Sequence, residues 1–146
     1  MPDEDASVRI QVENAHPDLD VDHELLRHAL LRTLQGEGKS VHALTVVLAD
    51  HGQVLSLNRD YLDHDYETDV LSFDLSESDA TDIEGEIYID LDTAQERHAE
   101  FGAGFEEEVR RYAIHGLLHL IGYLDDTPEQ REQMHRLETR YLNDAS

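Results

Sequence analysis

Between Ile114 and Asp125 an otherwise apolar run carries two histidines four residues apart, His115 and His119, followed by Gly122 and then an acid. Helical residues at i and i+4 share a face, so both imidazoles aim at one spot. Gly122 can adopt the left-handed backbone that closes a helix, and that turn swings Asp125 back toward the same spot. Burying two unpartnered imidazoles among Leu117, Leu118, Leu120 and Ile121 costs roughly 1–3 kcal/mol each. A shared metal ion removes that cost. Two imidazoles and one carboxylate form a three-ligand site with a position left open for water. His115, His119 and Asp125 are thus the candidate metal ligands and, through a water held there, the candidate catalytic group. The bland alternative is a pair of satisfied core or surface histidines, since the chain has ten.

Metzincin proteases use the same intervals, with glycine midway between the second histidine and a third ligand six residues after it. Their general base is a glutamate directly after the first histidine. Here that residue is Gly116, which cannot move a proton. The metal frame is present and the protease base is not. Hydrolysis of something other than a peptide, or a structural metal, fits better.

A chain of 146 residues suits one compact domain, taken here as 1–146. It has no cysteine, which excludes disulfides and thiolate metal sites. No apolar run approaches the ~20 residues needed to span a bilayer, and the polar start, Met1 to Ala6, does not resemble a signal peptide. A soluble, cytoplasmic protein with no membrane partner is expected. Thirty-four acids face eleven bases, a formal charge of −23, and Lys39 is the only lysine. Such acidity resembles the surfaces of proteins from salt-rich cytoplasms and reads mostly as a hydrated exterior. It also repels phosphates, unless salt screens it or a local basic cleft overrides it.

Periodicity predicts a strand at Val8–Val12, a helix from Leu25 to Leu34 capped by Asp22 and stopped by Gly36 and Gly38, and a strand at Leu44–Ala49. A short helix follows from His51 to about Tyr61, then a loop at Leu62–Thr68 and a strand at Val70–Leu75. An acidic connection, Ser76–Glu84, leads to a strand at Gly85–Asp90 and a helix from Thr93 to Phe101, closed by Gly102 and Gly104. The long helix Phe105–Ile121 carries the histidines. Thr127, Pro128 and Gln130 start a last helix with an apolar stripe at Met134, Leu137, Tyr141 and Leu142. The expected class is α+β: a single layer of small, mixed four-stranded sheet, flanked by about five helices, with a helix-borne metal site.

The run His-Gly-x-Leu-His-Leu-x-Gly-Tyr at residues 115–123 resembles the signature of the YbeY rRNA maturation factors, metal-dependent endoribonucleases. Leu57, Asn58, Tyr61, Asp65 and then Thr68, Asp69, Val70, Leu71, Ser72 and Phe73 resemble that family's central segment, and Gly85, Glu86 and Ile87 its Gly-Asp-Ile strand start. These segments cover about half the chain. The resemblance implies a four-stranded sheet flanked by helices, one zinc ion per chain (another divalent metal being the alternative), and a role in small-subunit ribosomal RNA processing and ribosome quality control. It implies RNA and the ribosomal subunit as partners, and not DNA.

Two departures stand out. The family's third ligand is a histidine; counted without gaps it falls on Asp125, and with a gap on Asp126. The ungapped count is preferred, because the helix and Gly122 set the distance. A carboxylate donor moves preference somewhat away from zinc, and two histidines with one carboxylate also suit non-haem iron. The arginine that follows the family's central tyrosine is Leu62 here, and Arg59, one helical turn earlier, is the candidate phosphate contact.

The resulting expectation is a single-strand-specific endoribonuclease. Asp69 is the candidate assisting carboxylate and Ser72 a candidate cleft residue. Tyr123 offers a face for a base, although a packed tyrosine is the commoner role. Two rivals stay open: a non-catalytic ribosome-assembly factor with a structural metal, and a metal-dependent hydrolase of another phosphoester.

Overall fold

The computed structural model describes residues 9–62, 70–77, 81–98 and 104–143. The expected loop 62–68, Asp69 and the helix stop at Gly102 fall outside them, wholly or in part. Four strands, β1 (Ile10–Asn14), β2 (Val41–Ala49), β3 (Val70–Asp74) and β4 (Ile83–Asp90), form one sheet in the order β1-β2-β4-β3. β1, β2 and β4 run parallel, and β3 runs antiparallel to β4. The helices are α1 (His23–Glu37), α2 (His51–Leu62), α3 (Leu91–Arg97), α4 (Phe105–Ile121) and α5 (Pro128–Asn143). This is the expected mixed sheet with five helices.

Alternation along β2 and β4 sorts the two faces. Leu44, Val46 and Leu48, with Ile83, Ile87 and Ile89, are buried against Leu26, Leu30 and Leu34 of α1 and Val109, Ala113 and Leu117 of α4. α5 packs outside that helix pair through Met134 and Tyr141, which meet Ala29, Ile114 and Leu118. The opposite face is covered by α2 through Val54 and Leu57 over Ala49 and Leu71. Burial of this kind, at roughly 25 cal/mol per Å² of apolar surface, is the main stabilising contribution.

The helix starts follow local chemistry. Asp22 caps α1 by accepting from the Glu24 and Leu25 amides, and Asp90 caps α3 by accepting from Thr93. At the start of α5, Gln130 Oε1 accepts from the Asp126 and Thr127 amides while the Gln130 N–H donates to Thr127 Oγ1.

Several boundaries differ from the sequence reading: β1 extends to Asn14, β3 stops at Asp74, and Gly36 lies inside α1, which Gly38 alone closes. β2 begins at Val41 and β4 at Ile83, because Val41 pairs with Ile83 ahead of a register irregularity. The polar residues there are held in strand by a neighbour, not by their own pattern. α3 begins at Leu91 because buried Asp90 supplies its cap.

Candidate metal centre

α4 ends where its sequence says it must. Gly122 has φ +126°, and its N–H reaches the Leu118 and His119 carbonyls. A β-carbon is disfavoured at that φ, so glycine is what lets the chain reverse and carry Asp125 back over the helix end.

The orientation of each imidazole is set by its Nδ1. His115 Nδ1 donates to Glu138 Oε2 at 2.6 Å, and His119 Nδ1 donates to the Tyr123 carbonyl at 3.0 Å. With Nδ1 engaged in each ring, the neutral form of each imidazole presents its Nε2 lone pair. The two Nε2 atoms lie 3.0 Å apart, and Asp125 Oδ2 sits 3.4 Å from that of His115 and 3.3 Å from that of His119. Three electron-rich atoms crowded together repel one another unless a cation lies between them. The point equidistant from all three is about 1.9 Å from each, close to the ~2.0–2.2 Å of zinc–nitrogen and zinc–oxygen bonds. Among the described residues, His115, His119 and Asp125 form the one group whose donor atoms could together hold a metal ion. All three are half-buried, so solvent reaches the site.

A family model described as Endoribonuclease YbeY matches residues 10–146. The chain belongs to the YbeY family. An Endoribonuclease YbeY of Salinibacter ruber is 48% identical, across 92% of this chain and 90% of its own length. One from Chlorobaculum parvum is 39% identical, across 84% and 86%. The solution structure of TM1509 from Thermotoga maritima superposes with a TM-score of 0.64 at 29% identity, covering 92% of this chain and 87% of that one. Membership in YbeY explains the shared grammar of residues 115–123, and in this chain an aspartate, Asp125, stands as the third member of the donor group. Asp126, the gapped alternative, is exposed and stands outside the donor group.

Gly116 has a structural explanation. A β-carbon there would come within 2.8 Å of Ile87 Cγ2 and 3.0 Å of Ser72 Oγ. It faces the sheet, not the donor atoms, and lets α4 approach β3 and β4 closely. Ser72 belongs to the same contact, donating to the Gly116 carbonyl at 2.9 Å; its hydroxyl ties β3 to the histidine helix. Arg59 lies exposed on α2, which packs on the opposite face of the sheet from the histidine helix. Asp69 lies outside the described residues. Tyr123 is a packed tyrosine: its hydroxyl donates to Glu37 Oε1 at 2.6 Å. That hydrogen bond, and then burial and the charge of Glu37, push its pKa above the ordinary value.

Sequence reasoning missed Glu138. It is 7% exposed and joins His115 to α5, while Arg111 Nη1 donates to its other oxygen at 3.2 Å. One signal was available. Glu138 falls between Met134 and Tyr141 at helical spacing, so an acid sits on the apolar face of α5.

Proposed function

We propose that this protein is a metal-dependent endoribonuclease of the cytoplasm that cleaves single-stranded RNA during maturation of small-subunit ribosomal RNA, with zinc at His115, His119 and Asp125. Membership in a family described as Endoribonuclease YbeY supports the reaction. No helix among the described residues is long and apolar enough to cross a membrane, consistent with that location. The observation that carries the metal requirement is the convergence of two imidazole Nε2 atoms and a carboxylate oxygen within 3.4 Å of one another.

When bound, a divalent cation there supplies a Lewis acid for a phosphoryl oxygen and lowers the pKa of water to about 7. The protein's own contribution is orientation. Glu138 and the Tyr123 carbonyl fix which nitrogen of each ring faces inward, as partners behind metal-ligating histidines commonly do. Gly122 and Arg131 shape the loop that presents Asp125: Arg131 Nη1 donates to the carbonyls of Asp125 and Asp126 at 3.2 and 3.3 Å. Gly116 carries no proton-transfer group, which sets the site apart from the peptidase pattern.

The decisive experiment combines elemental analysis with cleavage of a single-stranded ribosomal RNA fragment over a range of salt. About one zinc per chain, activity abolished by chelation and activity restored by zinc are the expected results. Full RNase activity in protein freed of metal removes this reading. Turnover of small phosphoesters without RNA cleavage moves the protein to another class of phosphoesterase.

A further inference from the structure

The two imidazoles of the donor group are held by partners of different firmness. His115 leans on Glu138, a buried carboxylate that belongs to α5. His119 leans on the Tyr123 carbonyl at 3.0 Å. A carbonyl only accepts, so it keeps the proton on Nδ1 and turns Nε2 toward His115 and Asp125. That carbonyl lies past the end of α4, in the irregular segment between Gly122 and α5. The Tyr123 N–H donates to the Leu118 carbonyl at 3.0 Å, which fixes one side of the residue. No helical ladder fixes the other side. Rotation about the bond to its own carbonyl is a soft dihedral, so the aim of that oxygen depends on what anchors the Tyr123 side chain.

The anchor comes from far along the chain. The Tyr123 hydroxyl donates to Glu37 Oε1 at 2.6 Å, and Glu37 is the last residue of α1. Tyr141 donates its hydroxyl to the other oxygen of Glu37, and Arg32 holds the Tyr141 carbonyl through Nε and Nη2. Two local rules are broken to build this arrangement. An acid at a helix C-terminus opposes the macrodipole, and the last turn of α1 carries no base to offset it. Gly36 stands inside the same turn, where glycine is destabilising; a β-carbon there would collide with the Tyr141 ring. Breaks in local rules that converge on one carboxylate are expected where that side chain serves a site.

We propose that Glu37 and the Tyr123 hydroxyl are positioning residues for the metal centre: they clasp the segment after α4, aim the Tyr123 carbonyl at His119 and set where Asp125 stands two residues on. The inference rests on the metal-dependent reading above and extends it to α1, a helix that supplies no donor atom. Arg131 holds the far side of the same segment through the Asp125 and Asp126 carbonyls, so Asp125 lies between two tethers. The Arg131 tether is exposed, whereas Tyr123 is half-buried and packs against the cluster of Ala29, Ile114 and Leu118.

The test is zinc affinity, read by competition with a chelating dye, together with the tautomer of each imidazole in metal-free protein, read from long-range proton–nitrogen NMR correlations. Tyr123→Phe and Glu37→Ala are each expected to weaken zinc binding about threefold to tenfold, less than the loss of a partner bonded directly to a ligand. In both variants His119 departs from the Nδ1–H tautomer while His115 keeps it. Glu37→Gln retains a side-chain carbonyl that accepts from Tyr123, and it recovers affinity to within about twofold of wild type. Glu37→Ala added to Tyr123→Phe weakens zinc binding no further, because both remove the same bond. Tyr141→Phe takes the other hydroxyl from Glu37 and leaves Tyr123 in place; it lowers the urea midpoint and keeps the wild-type zinc affinity. That contrast separates positioning from a general loss of stability. Wild-type zinc affinity in both Tyr123→Phe and Glu37→Ala, or an equal loss in Tyr141→Phe, overturns the clasp and leaves the metal centre standing. A wild type that takes up no zinc overturns the metal reading instead, and the His119 tautomer in Tyr123→Phe still decides the clasp.

Discussion

Two clusters in this molecule contain the same ingredients, a pair of histidines beside acids, and His16 in one is wired opposite to His115 and His119 in the other. At the end of α4, the Nδ1 atoms of His115 and His119 give their protons to Glu138 and to the Tyr123 carbonyl, leaving both Nε2 lone pairs facing Asp125. At the C-terminal ends of β1, β2 and β4, His16 Nδ1 instead accepts from the Asp18 and Leu19 amides, at 3.0 and 2.9 Å. Its proton is therefore on Nε2 and goes to Asp92 at 2.8 Å. Asp92 also accepts from the His51 amide, and the His51 ring meets fully buried Asp90 at 2.7 Å. There the protein matches donors with acceptors internally and staples three strand ends together. At α4 three atoms that could ligate one cation face one another. Residue type alone does not decide which cluster could take a metal; the hydrogen bond behind each ring decides which nitrogen it turns toward its neighbours.

Asp125→Ala tests this contrast most severely. Metal content by elemental analysis is expected to fall from about one per chain to near zero, and RNA cleavage to fall at least a hundredfold, with the far-ultraviolet circular dichroism unchanged. An unfolded variant points instead to a metal whose role is structural. Next comes Glu138→Gln, which is expected to weaken zinc affinity about 10–100-fold, read by competition with a chelating dye. His16→Gln should leave zinc affinity at the wild-type value; equal losses in the two variants erase the distinction between the clusters.

Gly116→Ala probes what holds the first cluster in place. The added methyl meets Ile87 and Ser72, and overpacking of this sort costs about 1–3 kcal/mol, measurable as a lower urea midpoint. The smallest effect is expected at Asp92. Partial burial pushes its pKa up, but the His16 ring and the His51 amide outweigh this and hold it below the ordinary carboxylate value. A depressed native pKa contributes stability above about pH 4 that is lost as pH falls through the lowered value. Asp92→Asn should therefore flatten part of the acid limb of stability against pH, and a limb identical to wild type contradicts the staple.

Much of this was legible in the chain. The strand cores, the caps at Asp22 and Thr127, the helix stop at Gly122 and the ligand triad depend on spacings of a few residues. Such spacings act within one helix, strand or turn, so the sequence carries them directly; that holds for the approach of Asp125 to the two rings, and not for any ion held there. β2 and β4 were shortened because Val41 and Ile83 acquire strand structure from each other. Gly116 read as a missing base, and its role as a contact point for the sheet needed the packing of α4 on β3 and β4.

By itself, then, the sequence determined the helix that carries two imidazoles on one face, the turn that returns Asp125, the single-sheet α+β class and the strong negative charge. The tertiary structure alone decided that Glu138 lies behind His115 and that Asp125 rather than Asp126 reaches the rings. Those facts depend on how α4 and α5 meet, and no local repeat encodes the crossing of helices brought together by burial of a common core.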